Sequence, residues 1–195
     1  MIKVNNYRER YQKVVIPKMK EEFHYKNSWQ APKIEKVVVN VGIGRLVTST
    51  KNSDDLIEKI SHELALITGQ KPAIRQAKKS ISSFKIREGL PIGLMVTLRG
   101  KRMEDFIDKF IHLTLPQVRD FWGIPLKNID QNGNLNYGFK DYSVFPEIAK
   151  GQSALNFGLE VTFVTNAKSR DEAIRLYQLL NFPLQIQTTN KSLNK

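Results

Sequence analysis

Phe157-Gly158-Leu159-Glu160-Val161-Thr162-Phe163-Val164 carries bulky apolar side chains at 157, 159, 161 and 163, alternating with Gly158, Glu160, Thr162 and Val164. Successive side chains of a strand point to opposite faces, so a period of two marks a strand buried on one side only. A sheet built from such strands needs cover on one face and leaves the other open. That favours an antiparallel or mixed sheet with helices on one side. Glu35-Lys36-Val37-Val38-Val39-Asn40-Val41 supplies a second strand, rich in the β-branched residues that suit a pleated surface, and Gly42 and Gly44 close it. Shorter strands are expected near Ala73–Arg75, Phe84–Arg87 and Ile92–Arg99. Asn132-Gly133-Asn134 signals a hairpin leading into Leu135–Val144.

The remaining periodic segments are helical. Val4, Tyr7, Tyr11, Val14, Val15, Met19 and Phe23 recur at helical spacing, and Pro17 is expected to kink or restart that helix. Ser53-Asp54-Asp55 opens another, its acids suited to the positive end of the helix dipole. Leu56, Ile57, Ile60, Leu64 and Ile67 give it one apolar face, and Gly69 stops it. Met103, Phe106, Ile107, Phe110 and Ile111 form a third helical face that Pro116 is expected to end. Ser169-Arg170-Asp171-Glu172 is a capping box ahead of a helix burying Ala173, Ile174, Tyr177 and Leu180. The fold class is therefore α+β: one antiparallel or mixed sheet, helices packed mainly on one face, the other face free. Asn40, Thr97 and Arg99 stand on strands whose apolar neighbours point inward, which leaves these polar groups for the free face. A single domain over 1–183 is expected, followed by a polar, flexible tail over 184–195.

Positive charge is concentrated rather than spread. Residues 70–102 hold nine basic side chains and one acid, Glu88, which is +8 of the chain's formal +12. Residues 1–40 add nine basic and four acidic groups. A fixed surface with this much positive charge, in a chain of pI 9.8, points to a polyanion and above all to nucleic acid.

Several function classes are excluded by what is missing. Without cysteine there is neither a disulfide framework nor a zinc–thiolate site. His24, His62 and His112 lack metal-ligand spacing, so no metal and no other cofactor is expected. Val41-Gly42-Ile43-Gly44 starts like a dinucleotide-binding fingerprint, but Val47 stands where the third glycine belongs. Lys79-Ser80 has no orienting group nearby in sequence and suits phosphate contact better than nucleophilic catalysis. No apolar run approaches the about 20 residues of a membrane span, and a soluble intracellular chain is expected.

Within the basic segment, Lys71, Arg75, Lys78, Lys79 and Arg99 supply phosphate-binding charge. Gln70, Asn40, Ser80 and Thr97 are short or planar hydrogen-bonding groups of the kind that read 2′-hydroxyls and base edges. The stretch Ala77 to Ser83, with strand-like flanks, is expected to project as a basic finger. Phe84, Trp29 and Trp122 are expected to be packing anchors rather than stacking platforms.

These residues lie within a longer ordered set. Val-Val-Val-Asn-Val-Gly-Ile-Gly at 37–44, Thr-Gly-Gln-Lys-Pro at 68–72, Ala-Lys-Lys-Ser-Ile-Ser-Ser-Phe-Lys-Ile-Arg-Glu-Gly at 77–89 and Val-Thr-Leu-Arg-Gly at 96–100 come first. Arg119-Asp120-Phe121, Phe145-Pro146-Glu147-Ile148, Thr165-Asn166-Ala167-Lys168 and Asn181-Phe182-Pro183 follow in order. Together they closely resemble the large-subunit ribosomal protein L5 family, in its bacterial or organellar form, from about Tyr7 to Pro183. The resemblance implies a non-enzymatic constituent of the large subunit's central protuberance, in a cytoplasmic or organellar ribosome. It implies binding of 5S ribosomal RNA and contact with the large ribosomal RNA, and a place beside other 5S-binding ribosomal proteins. It also implies a loop near the transfer RNA of the peptidyl site, and a bridge to a small-subunit head protein. By position, Asn40, Gln70, Ser80 and Thr97 match the 5S RNA contacts, with Lys71, Arg75 and Arg99 beside them. Lys78, Lys79, Ser80, Ile81, Ser82, Ser83 and Phe84 match the loop near transfer RNA, and region 130–145 the bridge. The family usually follows Arg119-Asp120-Phe121 with Arg-Gly, so Trp122-Gly123 lacks a positive charge there. The competing classes are a nucleic-acid-processing enzyme, which needs a metal or acid–base cluster, and an RNA chaperone that binds many RNAs equally.

Overall fold

The strands β1 (Ile34–Gly42), β2 (Ala73–Gln76), β3 (Pro91–Leu98), β4 (Leu135–Phe139) and β5 (Leu159–Thr165) join in one sheet of order β2-β3-β1-β5-β4. The computed structural model describes residues 6–49, 53–148 and 157–185, and every strand pair in it is antiparallel. Asn132-Gly133-Asn134 turns the chain but makes no two-stranded hairpin, only an Ile129–Leu135 bridge, and β4 ends at Phe139 because Tyr142–Val144 forms a 3-10 turn capped by Asp141. Phe84–Arg87 is not a strand. Ser82–Phe84 is a 3-10 turn, Lys85 takes the left-handed conformation, and only an Ile81–Ile86 bridge remains. Strand β3 stops at Leu98, and Arg99 becomes the extended residue that opens the next helix.

The helices are α1 (Tyr7–Arg10), α2 (Ile16–Glu22), α3 (Gly44–Ser49), α4 (Ser53–Thr68), α5 (Gly100–Lys109), α6 (Leu115–Gln117) and α7 (Arg170–Leu179). Val4 and most of the expected tail, from residue 186, lie outside the described residues; Leu184 and Gln185 pair with Ile124. Helix α3 had no sequence signal beyond the two glycines read as a strand end. The two internal prolines act alike. Pro17 and Pro116 each follow a π-helical segment, Tyr11–Val15 and Phe110–Thr114. There the Ile16 and Leu115 N–H groups donate to carbonyls five residues back. The widened turn accommodates a residue with no N–H and a ring that crowds the previous turn. Pro116 therefore does not end its helix, which runs on through Gln117.

Helices cover one face of the sheet. Val37, Val39, Val41, Leu94, Val96, Leu98, Val161 and Phe163 are buried there, against Ile60 and Leu64 of α4, Met103 to Phe110 and Leu176 of α7. Each such side chain contributes roughly 1.5–3 kcal/mol on burial. The Phe110 ring stands edge-on to Phe163 at 4.8 Å between centroids. Gly69, at φ 67, ends α4 with its N–H on the Ala65 carbonyl. Ser169 caps α7 by accepting the Glu172 N–H at 3.3 Å, while the Glu172 carboxylate takes the Lys168 N–H at 2.9 Å.

One buried hydroxyl joins α7 to the sheet. Tyr177 Oη lies 3.0 Å from the Gly133 carbonyl and 3.1 Å from that of Phe163, and accepts the Leu135 N–H at 3.1 Å. Burial pushes its ionisation well above the ordinary tyrosine range, with the Leu135 bond opposing that rise. Gly133 is held close beneath the same helix, since a Cβ on it would sit 2.8 Å from the Ala173 Cβ.

Candidate nucleic-acid interface

The uncovered face is built by strand register. Val38 stands opposite Thr97 on one side and Thr162 on the other, and Thr162 opposite Asn136. The next row is Ala73, Met95, Asn40, Glu160 and Gly138, and the next Arg75, Gly93 and Gly42. Two residues along each strand lies the same face, so Asn40, Thr97 and Arg75 are brought to one surface as the alternation requires. Asn40 and Arg75 line a shallow groove of about 550 Å³ with Gly42, Gly93, Gly158 and Glu160.

The open face also holds glycines to which sequence reasoning assigned no binding role, Gly42 in the groove and Gly138 on the neighbouring edge strand. A Cβ on Gly42 or on Gly138 would meet nothing within 4 Å, and neither glycine has a positive φ. Neither packing nor backbone geometry demands glycine at these positions. A strand glycine with no internal reason leaves a bare surface that a ligand or another backbone can approach closely. Gly93 and Gly158 are different: a Cβ would lie 3.3 Å from the Val41 carbonyl and 2.8 Å from that of Phe139. The signal available in sequence was a glycine at each strand end, which a turn explains equally well.

Gln70 sits where α4 hands over to β2. Its amide donates to the Thr97 carbonyl at 3.3 Å, and its carbonyl oxygen lies 3.5 Å from an Arg102 nitrogen. Gln70 and Thr97 thus meet at one end of the β2–β3 pair, with exposed Arg99 and Lys71 beside them. Beyond the other end, residues 77–89 project. The Ala77 N–H donates to Leu90 and the Gly89 N–H to Ala77, at 2.9 and 3.0 Å, and Ile81 and Ile86 exchange bonds at 2.9 and 3.1 Å. Ser80 accepts the Glu88 N–H at 2.9 Å, so its hydroxyl braces the loop and keeps its own proton to offer. The expected residues therefore form a stripe rather than one cluster. It runs from Gln70, Thr97 and Arg99, past Asn40 and Arg75, to the loop of Lys78 and Lys79.

The electrostatics of this stripe are one-sided. Among the described residues, the ion pairs join Lys13 to Glu9, Lys109 to Glu147 and Arg175 to Glu22. None involves any of the nine basic side chains of 70–102. Glu160 lines the same groove as Arg75 but pairs with none of them, so their mutual repulsion is largely left standing, the arrangement that a polyanion relieves by releasing its counterions. No group of acids and histidines among the described residues could hold a metal ion. The displaced ionisations belong to the scaffold. Burial raises Asp108 against the pull of its hydrogen bonds from the Tyr7 N–H. The Ser143 hydroxyl and N–H lower Asp141.

Three aromatic assignments are corrected. Phe84 is 67% exposed at the loop tip, Trp29 94% and Trp122 85%. None is a packing anchor: Trp29 and Phe84 stand on 3-10 turns and Trp122 in an irregular stretch, where no second layer reaches them.

Comparison with known proteins places most of the chain in one family. The family model "Ribosomal protein L5" matches residues 27–87, and the model of the same ribosomal family's C-terminus matches 91–184. The chain belongs to the ribosomal protein L5 family. Members of the L5 family are structural components of the ribosome, not enzymes. The large ribosomal subunit protein uL5 of Pseudothermotoga lettingae is 48% identical over 178 residues, covering 91% of this chain and 95% of its own. The uL5 of Halothermothrix orenii is 46% identical over 175 residues, 90% of this chain and 96% of its own. That of Thermosipho melanesiensis is 47% identical over 180 residues, 92% and 97% of the two chains. The boundary between the two L5 models falls at the foot of the projecting loop, so the stripe is assembled from both halves. No described helix is long and apolar enough to cross a membrane.

Proposed function

We propose that this chain binds 5S ribosomal RNA on the open face of its sheet and fastens it to the large ribosomal RNA. The unpaired basic stripe beside a bare, hydrogen-bonding sheet face is the observation that carries this reading. Asn40, Gln70, Ser80 and Thr97 provide directional contacts, and Lys71, Arg75 and Arg99 neutralise phosphates. The open face is wide and shallow, which suits the minor-groove surface of an RNA helix with its 2′-hydroxyls better than a single strand threaded through a channel.

The loop from Lys78 to Phe84 extends beyond the sheet and reaches the transfer RNA of the peptidyl site. Its backbone bonds hold it out as a finger, with Ile81 and Phe84 exposed at the end and two lysines at the base. Region 130–145, at the far edge of the sheet, faces a small-subunit head protein, and other 5S-binding ribosomal proteins are neighbours in the central protuberance. Residues 1–183 act as one ribosomal-protein domain, with 184–195 as a polar tail.

The test is binding of the purified protein to 5S ribosomal RNA across a salt series, with excess transfer RNA as competitor. The expected result is tight binding that falls log-linearly with salt and survives the competitor. Binding abolished equally by any RNA would favour a general RNA chaperone and overturn the 5S assignment.

A further inference from the structure

We propose that Trp29 is a stacking platform for an unpaired base of ribosomal RNA, at a second contact site separate from the sheet face. The proposal rests on the reading that this chain binds ribosomal RNA. Trp29 is 94% exposed, the most exposed large apolar side chain among the described residues. A lone exposed indole on a floppy segment would signify little. This one is held. Ser28–Gln30 is a 3-10 turn, closed by the Gln30 N–H on Asn27 and the Ala31 N–H on Ser28. The Gln30 side chain accepts the Lys26 N–H at 3.0 Å, and the rings of Phe23 and Tyr25, just before it in the chain, stack at 5.9 Å between centroids. On the other side, Lys33 and Asn166 exchange hydrogen bonds at 2.7 and 3.2 Å.

The surroundings select the occupant. Exposed Lys26 and Lys33 flank the ring in sequence, and neither forms an ion pair among the described residues. Glu22, the acid nearest in sequence before them on α2, is already neutralised by Arg175. An exposed π surface with unpaired cations in the same segment, at 26 and 33, matches a base and its adjoining phosphates, the combination used by single-strand binders. An apolar protein partner would gain from the indole but would have to desolvate two unpaired ammonium groups. The site also lies apart from the groove. Trp29 precedes β1, whereas Gly42 and the groove lie at its far end, on the order of 25 Å away for nine strand residues. Of the stripe, Thr97 with its neighbours Gln70 and Arg99 comes nearest the Trp29 end of β1, since Thr97 stands opposite Val38.

The two tryptophans of the chain make the test direct. In Trp122→Phe, Trp29 is the only indole, and its emission is followed while 5S ribosomal RNA is added, alone and then with large-subunit ribosomal RNA. Strong quenching on complex formation is expected, the arm that produces it identifying the RNA concerned. Affinity is expected to fall about 10-fold in Trp29→Leu and to be largely kept in Trp29→Phe, because stacking needs a ring and not merely bulk. Unchanged emission while filter binding reports a formed complex in both arms would overturn the proposal and leave the sheet-face reading standing. Equal affinity of the Leu and Phe variants would also overturn it. Absence of any complex would overturn both readings.

Discussion

Replacing Gly42 by valine separates folding from binding. The added Cβ meets nothing within 4 Å, and the backbone there is open to any L-residue. Valine is a better strand residue than glycine, so the fold is expected to be unchanged or more stable by up to about 1 kcal/mol. That corresponds to a melting temperature raised by up to roughly 2–4 °C. The isopropyl group, however, stands on the floor of the groove between Asn40 and Arg75. A nucleic acid lifted by its height loses a hydrogen bond from Asn40 and a charged one from Arg75. Together these are worth roughly 2–4 kcal/mol, a fall of at least about 30-fold in affinity. The assay pairs a circular-dichroism melt with filter binding to 5S ribosomal RNA at fixed salt. Gly158→Val is the control, because its Cβ would lie 2.8 Å from the Phe139 carbonyl and is expected to destabilise by on the order of 1–3 kcal/mol. Native affinity in a well-folded Gly42→Val variant would refute the reasoning, since RNA would then not lie on this floor.

Other expectations follow from the same contacts. Tyr177→Phe strips a buried Leu135 N–H of its acceptor and is expected to cost about 2–3 kcal/mol in urea unfolding; a loss below about 0.5 kcal/mol would show that the hydroxyl is not the joint described. Lys78→Ala with Lys79→Ala is expected to leave folding and isolated 5S binding nearly intact and to weaken function on assembled ribosomes. A collapse of 5S affinity would reassign the loop. Burial raises the folded-state pKa of Asp108, so its contribution to stability is fully present below the ordinary carboxylate value and is lost as pH rises through the raised one. Asp108→Asn is therefore expected to flatten the decline in unfolding free energy as pH rises above the ordinary carboxylate range, with an unaltered slope counting against that assignment.

Period-two alternation was the most legible feature of the chain. It put Val37, Val39 and Val41 in the core and Asn40 on the open face, as found. Thr97 followed by the same rule, but Arg99 did not, because the helix after β3 begins one residue earlier than alternation alone reveals. Charge density marked the stripe, yet its division into a sheet face and a braced finger needed the tertiary bonds of Gln70 and Ser80. Trp29, Phe84 and Trp122 misled because size and hydrophobicity say nothing of whether a second layer covers a turn. The groove glycines were hidden for the opposite reason. A residue with no side chain gives no sign of whether it is absent for the backbone's sake or for a ligand's.

The position of β1 has a consequence for how each copy is made. This strand lies between β3 and β5, yet it is synthesised early and β5 is among the last elements to emerge. About 120 residues separate their facing segments, so at roughly 5–20 residues per second one edge of β1 waits on the order of 6–25 s for its partner. Arg10 waits longer still, since its bond is to the Leu179 carbonyl. During that interval Val37, Val39 and Val41 sit beside an unpaired strand edge, the condition under which chains pair with the wrong neighbour. The chain is therefore most open to mispairing while it is being made.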